Sequence, residues 1–191
     1  VFKKKNKEYL TELQNKKDGG PILIDLDFRF NKSITERILE DDMISDMVDS
    51  YAEEIIKLFN LESIDTFEIY VLLKDDIVED DINDCIKDGI HMQVLLRTKH
   101  NAQMVLRKHA MASIYDNILT DSFEDDILIN DKEDIFDKSI SSGNTGWLLY
   151  GSCKPGGSPY KVKYRFNVTI EGDGSYDCEE QELNETPFTI L

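Results

Sequence analysis

Gly19-Gly20-Pro21-Ile22-Leu23-Ile24-Asp25-Leu26-Asp27-Phe28-Arg29-Phe30 is the stretch on which the fold turns. Lys17-Asp18-Gly19-Gly20-Pro21 predicts a turn, because glycine and proline break regular structure. From Ile22 to Phe30 the pattern has period two. Ile22, Ile24, Leu26, Phe28 and Phe30 fall on one face of a strand, and Leu23, Asp25, Asp27 and Arg29 on the other. Carboxylates two residues apart on a strand sit roughly 6.5–7 Å apart. They repel each other unless a cation lies beside them. Such a pair suits oxygen-preferring Mg²⁺ or Mn²⁺, which bind carboxylates together with phosphates. Taken alone, Asp-x-Asp also fits a strand end with solvated acids. Arg29, next on the acidic face, either pairs with Asp27 or reaches toward a triphosphate.

Outward from this strand, residues 8–14 predict a short helix. Ser33-Ile34-Thr35-Glu36 has capping-box spacing, and Ile34, Ile38, Met47, Tyr51, Ile55 and Leu58 continue it as a long helix with an acidic outer face. Phe67 to Leu73 predicts a second strand and 75–84 an acidic loop. Asp88-Gly89 predicts a turn into a third strand, Ile90–Leu96. A second helix is expected over 101–119, with Leu106, Ala110, Ile114 and Ile118 in one row. Trp147–Tyr150 and Tyr160–Ile170 predict further strands around a loop at 155–159, with Trp147 in the core, and 171–191 a poorly specified tail. Strands interleaved with helices make the fold α+β or α/β.

Charge and cysteine content bound the function. The chain has 191 residues, enough for one domain or two small lobes sharing a cleft. Cys85, Cys153 and Cys178 are odd in number and widely spaced, which supports neither a disulfide framework nor a zinc knuckle. No apolar run approaches the roughly 20 residues of a membrane helix. The first residue is Val, and Lys3, Lys4 and Lys5 precede no apolar segment, so no signal peptide is expected and the chain reads as part of something longer. The net charge of −17 disfavours non-specific nucleic-acid binding, yet 89–115 and 138–170 contain no acid. Those stretches hold Arg97, Lys99, Arg107, Lys108, Lys154, Lys161 and Arg165 and predict a local cationic surface, although a solvated face reads the same way.

Two more segments carry chemistry. His91 follows Gly89 on the face opposite Ile90, Met92 and Val94, either as a structural hydrogen-bonder or as a ligand. His100 and His109 are expected on the surface. Trp147-Leu148-Leu149-Tyr150-Gly151-Ser152-Cys153-Lys154-Pro155 ends a strand in Gly-Ser-x-Lys. Free backbone N–H groups, the Ser152 hydroxyl and Lys154 would cradle phosphate there, although a hairpin turn with a surface lysine fits too. No P-loop pattern is present.

Together these segments resemble the archaeo-eukaryotic primase superfamily, in particular the N-terminal primase domains of poxvirus-type primase–helicases of large nucleocytoplasmic DNA viruses, giant amoebal viruses included. That superfamily carries an acidic D-x-D strand, a small-x-His strand and a later metal-binding Asp. Gly19 to Phe30 looks like the first motif and Lys87-Asp88-Gly89-Ile90-His91 like the second. Ile135-Phe136-Asp137, then Trp147 to Pro155 and Tyr160, look like the third and its following signature. Asp131, Asp134 and Asp137 lie close together, and the preceding Phe136 singles out Asp137.

The resemblance implies an α+β primase core, with an α/β lobe and an RRM-like sheet lobe around a cleft that holds the active site. It implies a catalytic domain over 1–191 with a motif-bearing core at about 19–170, and a hexameric helicase domain beyond it in the same polypeptide. The implied activity is template-directed nucleotidyl transfer, making primers on single-stranded DNA from NTPs or dNTPs by a two-metal mechanism. Asp25, Asp27 and Asp137 would bind Mg²⁺ or Mn²⁺; His91, Arg29, Ser152 and Lys154 would contact the nucleotide. The setting would be an intracellular viral replication site, cytoplasmic and without membrane contact. Two other readings stay open: a metal-dependent nuclease, and a non-catalytic template-docking domain of a replicative helicase.

Overall fold

The computed structural model describes residues 9–124 and 126–183. The Lys3–Lys5 run, the first residue of the expected 8–14 helix and residues 184–191 of the expected tail lie outside these.

The quoted stretch forms β2 (Gly20–Asn31), which follows the short strand β1 (Thr11–Glu12). The two faces of β2 divide as the alternation predicts. Ile22, Ile24, Leu26, Phe28 and Phe30 are each no more than 6% exposed and join one large core. Removing each such side chain from water contributes about 1.5–3 kcal/mol, so this row orients the strand. Over that face lie α1 (Asp41–Leu58) and α2 (His100–Ile114), which bury Ile44, Met47, Tyr51 and Ile55, and Leu106, Ala110 and Ile114.

Beyond α1 come β3 (Thr66–Leu73), β4 (Val78–Asp80) and β5 (Cys85–Thr98). After α2 the chain passes through a π-helical turn (Tyr115–Leu119) and three short helices, α3 (Thr120–Ser122), α4 (Lys132–Ile135) and α5 (Lys138–Ser141). It then forms β6 (Trp147–Leu148), β7 (Lys161–Ile170) and β8 (Tyr176–Gln181). The main sheet is antiparallel in the order β2-β5-β3-β7-β8, with β4 also on β5. With its two long helices on one face of an antiparallel sheet, the fold is α+β, as expected. The other face carries Leu23, Asp25 and Asp27. A ribbon of β1 and β6 covers part of it, with Trp147 packed on Leu23 and Ile140.

Several local expectations gave way to long-range contacts. Residues 9–14 form no helix, because β1 pairs with β6 and Leu149 N–H donates to Leu10 C=O at 3.0 Å. Ser33 caps nothing; its amide donates to Asn31 Oδ1 at 3.0 Å and α1 starts at Asp41. The intervening segment is held instead by Arg37, whose guanidinium grips Asp88 at 2.7 and 2.9 Å and donates to Lys74 C=O at 2.9 Å. Asp88-Gly89 is not a turn but mid-strand in β5. A buried Asp88 is tolerated there because Arg37 neutralises it and Gly89 N–H donates to its Oδ1. The acidic loop contains β4, the second helix changes to π geometry at Tyr115, and β6 stops at Leu148. The expected tail supplies β8, an edge strand whose Asp177, Glu179 and Glu180 discourage further pairing.

His100 is a further correction: both ring nitrogens are buried without a hydrogen-bond partner among the described residues, and the ring packs on Gly143. His109 meets solvent as expected, half-exposed and 3.4 Å from Glu54.

Candidate active site

Antiparallel pairing of β2 with β5 sets the site. Asp25 lies opposite His91, and Asp27 opposite Gly89, on the open face of the sheet. His91 Nε2 approaches Asp25 Oδ1 to 3.2 Å. The imidazole is clamped between Tyr160, stacked at 3.5 Å between centroids, and Trp147 at 4.4 Å. Gly89 is required by this stack. A Cβ there would lie 2.5 Å from the Tyr160 hydroxyl. The small residue two before His91 therefore makes room for a phenol of this chain, in addition to any ligand. Burial, and then Asp25 and Asp27, push the Tyr160 pKa far up, so the phenol keeps its proton.

Asp137 arrives by a separate route. Phe136 bridges to Leu26, and Asp137 N–H donates to the Asp25 carbonyl at 2.9 Å. The buried Arg107 guanidinium braces this segment, donating to Phe136 C=O at 2.7 Å and to the Glu133 carboxylate at 2.8 Å. Of the three clustered acids, only Asp137 lines the cavity over Asp25 and Asp27. Asp131 caps α4, and Asp134 sits 3.4 Å from Arg29.

The cavity has a volume of about 180 Å³, and Asp25, Asp27, Asp137, His91, Lys74 and Lys154 are on its wall. Asp27 has an edge open to solvent. Packing around the rest of the group, then repulsion from Asp25 and Asp137, raises its carboxyl to about 6 against the pull of His91 and Lys154. Burial lowers the Lys74 pKa, with Lys154 adding to the effect and Asp27 and Asp25 opposing it. Lys74 Nζ stands 4.8 Å from the Tyr160 ring centre.

Two expected nucleotide contacts are not brought here. Arg29 continues along β2 beyond Asp27 and pairs with Asp134. Ser152 is buried, its hydroxyl has no hydrogen-bond partner among the described residues, and it does not line the cavity. The glycine-rich loop contributes Lys154, Gly157 and Ser158 instead. Gly151 (φ +76°) and Gly156 (φ +78°) allow its sharp turns. The cationic surface expected from the acid-free stretches is partly spent internally. Arg107 is the buried brace, Lys161 pairs with Asp75, and Arg165 pairs with Glu68.

Sequence reasoning passed over Lys74 and took Trp147 for core alone. Lys74 follows from alternation once pairing is known, since Tyr70, Leu72 and Lys74 are spaced by two and Leu72 lies opposite His91; Trp147 reaches the site through the pairing of β6 with β1.

A divalent cation finds a partial fit. Asp25 Oδ1 is buried and accepts no hydrogen bond among the described residues; its neighbour His91 Nε2, at 3.2 Å, is a cation only when the ring is protonated, so the oxygen has room for a metal ligand bond. Hard carboxylate oxygens match Mg²⁺ or Mn²⁺. Among the described residues, however, no three His, Cys, Asp or Glu side chains are grouped closely enough to hold an ion. The Asp137 carboxylate is also engaged as the cap of α5, accepting from Ser139 N–H and from the Ser139 hydroxyl at 2.7 Å each. Each carboxylate oxygen has a second lone pair, so the cap and a cation can share Asp137.

Comparison with known proteins identifies the family. The chain is 35% identical over 164 residues to a protein of Acanthamoeba polyphaga mimivirus named "Putative helicase L207/L206". That match covers 84% of this chain and 16% of the mimivirus protein. The family model described as the C962R protein N-terminal AEP domain matches residues 1–166. The chain therefore belongs to the C962R N-terminal AEP-domain family of the archaeo-eukaryotic primase superfamily.

Proposed function

We propose that this chain is a nucleotidyltransferase domain that makes primers on single-stranded DNA. The observation that carries the reading is one cavity lined together by the carboxylates of Asp25, Asp27 and Asp137 and by His91, Lys74 and Lys154. Asp25 and Asp27, joined by Asp137, would hold Mg²⁺ or Mn²⁺. Bound there, the metal would acidify the attacking 3′-hydroxyl and neutralise triphosphate charge. The residues of the chain do the rest. His91, fixed by its stack, presents a ring N–H to a phosphate oxygen. Lys74 and Lys154 stabilise the charge that builds on departing pyrophosphate. The 3′-oxygen forms its bond to the α-phosphorus as the bond to pyrophosphate breaks.

Because the mimivirus relative is named as a helicase, we place this activity beside an unwinding module in a longer polypeptide, which would supply the single strand. A viral replication site in the infected cell would be the setting.

Primer synthesis on single-stranded DNA, run with NTPs or dNTPs and Mg²⁺ or Mn²⁺, tests the reading. Asp25→Asn should lower the rate by at least about 10³-fold. Synthesis that survives in the Asp25→Ala, Asp27→Ala double variant would refute the metal assignment. DNA cleavage without nucleotides would turn the same residues into a nuclease.

A further inference from the structure

A second cavity adjoins the first. It has a volume of about 280 Å³, and the two share Trp147 and Leu148 as a common wall. Its floor is the next rung of the same sheet face. Asp25, His91 and Leu72 form one rung across β2, β5 and β3, and Leu23, Gln93 and Tyr70 form the next. The two floors are therefore roughly 6.5–7 Å apart along the strands. Tyr150 closes one side, and the exposed Arg97 stands on its wall.

We propose that this cavity holds one unpaired nucleobase of the DNA template strand. The inference rests on the function proposed above for its position relative to the reacting nucleotide. Three features select the occupant. First, the aromatic rings of Tyr70, Trp147 and Tyr150, with the apolar side chains of Leu23 and Leu72, suit a planar heteroaromatic ring, which stacks with little regard to sequence. Second, the Gln93 amide makes no hydrogen bond among the described residues, and an amide can both donate to and accept from a base edge. Two neighbouring glutamines are engaged, Gln14 donating to Pro21 C=O and Gln103 to Gln14, and Asn15 Oδ1 accepts from Lys17 N–H. Third, Arg97 forms no ion pair among the described residues and supplies the positive charge a backbone phosphate needs.

The incoming nucleotide cannot be the occupant. Its base must stay open to its template partner, and a walled cavity leaves no space for that partner. A template base next to the pairing position has no partner and can turn inward. Capture of that base would hold the strand in register while the neighbouring base is copied.

The test uses a DNA hairpin whose recessed 3′ end fixes the register and whose template overhang carries one abasic site, moved a position at a time. Binding is read by fluorescence anisotropy in EDTA, without nucleoside triphosphates. One overhang position should lose about tenfold in affinity when abasic, the loss expected when one stacked base is removed. Gln93→Leu should shrink that penalty, whereas Arg97→Ala should weaken every substrate alike and flatten the salt dependence. Tyr150→Ala, a change at a half-buried ring, gives an independent loss of the penalty if Gln93→Leu fails to fold. A flat abasic profile, no measurable binding, or a penalty unchanged in Gln93→Leu and Tyr150→Ala overturns the proposal. A flat profile with intact primer synthesis removes the base pocket and leaves the proposed function. A position-specific penalty in a protein that makes no primer does the reverse.

Discussion

Gly89→Ala is expected to destabilise the protein, although alanine is normally the better strand residue. One contact decides the sign. The new Cβ would stand 2.5 Å from the Tyr160 hydroxyl, with its next neighbours, Leu26 C=O and Asp27 Oδ1, at the comfortable distances of 3.4 and 3.6 Å. Tyr160 cannot yield by a simple rotation, because its ring is stacked on His91 at 3.5 Å between centroids. Overpacking of this kind costs about 1–3 kcal/mol. Loss of glycine's freedom in the unfolded chain returns about 0.4–1 kcal/mol. The net expectation is a loss of about 1–2 kcal/mol, or a fall in Tm of roughly 2–8 °C for a chain this long. Tyr160→Phe removes the only clashing atom. In that background Gly89→Ala should be neutral or stabilising by up to about 1 kcal/mol. Urea denaturation of the wild type, both single variants and the double variant measures the coupling directly. An equal cost of Gly89→Ala in the wild type and in the Tyr160→Phe variant would refute the claim that β5 carries glycine to seat this phenol.

Asp27 sets a pH dependence in the metal-free protein. Its folded-state carboxyl sits at about 6, above the ordinary 3.8, so its contribution to stability falls as pH rises from about 4 to 6. Asp27→Asn should flatten that fall in denaturation curves and add about 1 kcal/mol at neutral pH, a figure reduced for the screening at its open edge. Arg107→Ala removes the brace under Phe136 and Glu133 and should cost about 2–4 kcal/mol in chemical denaturation; Arg107→Lys cannot replace both contacts and should rescue little. Lys74→Ala should leave the melting temperature near wild type and raise the nucleotide KM about tenfold in primer synthesis, and an unchanged KM would remove Lys74 from the nucleotide site.

Local pattern alone settled much of this protein. Alternation from Ile22 to Phe30 determined which face of β2 is core and placed Asp25 and Asp27 together on the other. The row of Leu106, Ala110 and Ile114 identified the buried face of α2 in the same way. These readings hold because side-chain direction along a strand or helix repeats with the period of the backbone, and burial of one face outweighs most local preferences. His91 and Asp137 were chosen by motif resemblance, and both line the cavity with the aspartate pair.

Tertiary structure decided what local pattern cannot contain. Ser33 has the right neighbours for a cap, but Arg37 finds Asp88 on another strand and the helix starts later. Asp88-Gly89 has turn chemistry, yet the same ion pair lets it run straight through a sheet. Arg29 and Ser152 have suitable chemistry, but Arg29 pairs with Asp134 and Ser152 is buried away from the cavity. Lys74, Tyr160 and Trp147 enter the site because β3, β5 and the β1–β6 ribbon bring distant segments together. Sequence by itself determined the faces of the elements and the identity of the central acids. The pairing of strands distant in sequence decided which cations and aromatic rings meet those acids, because contact energies between such segments depend on a register that no single segment encodes.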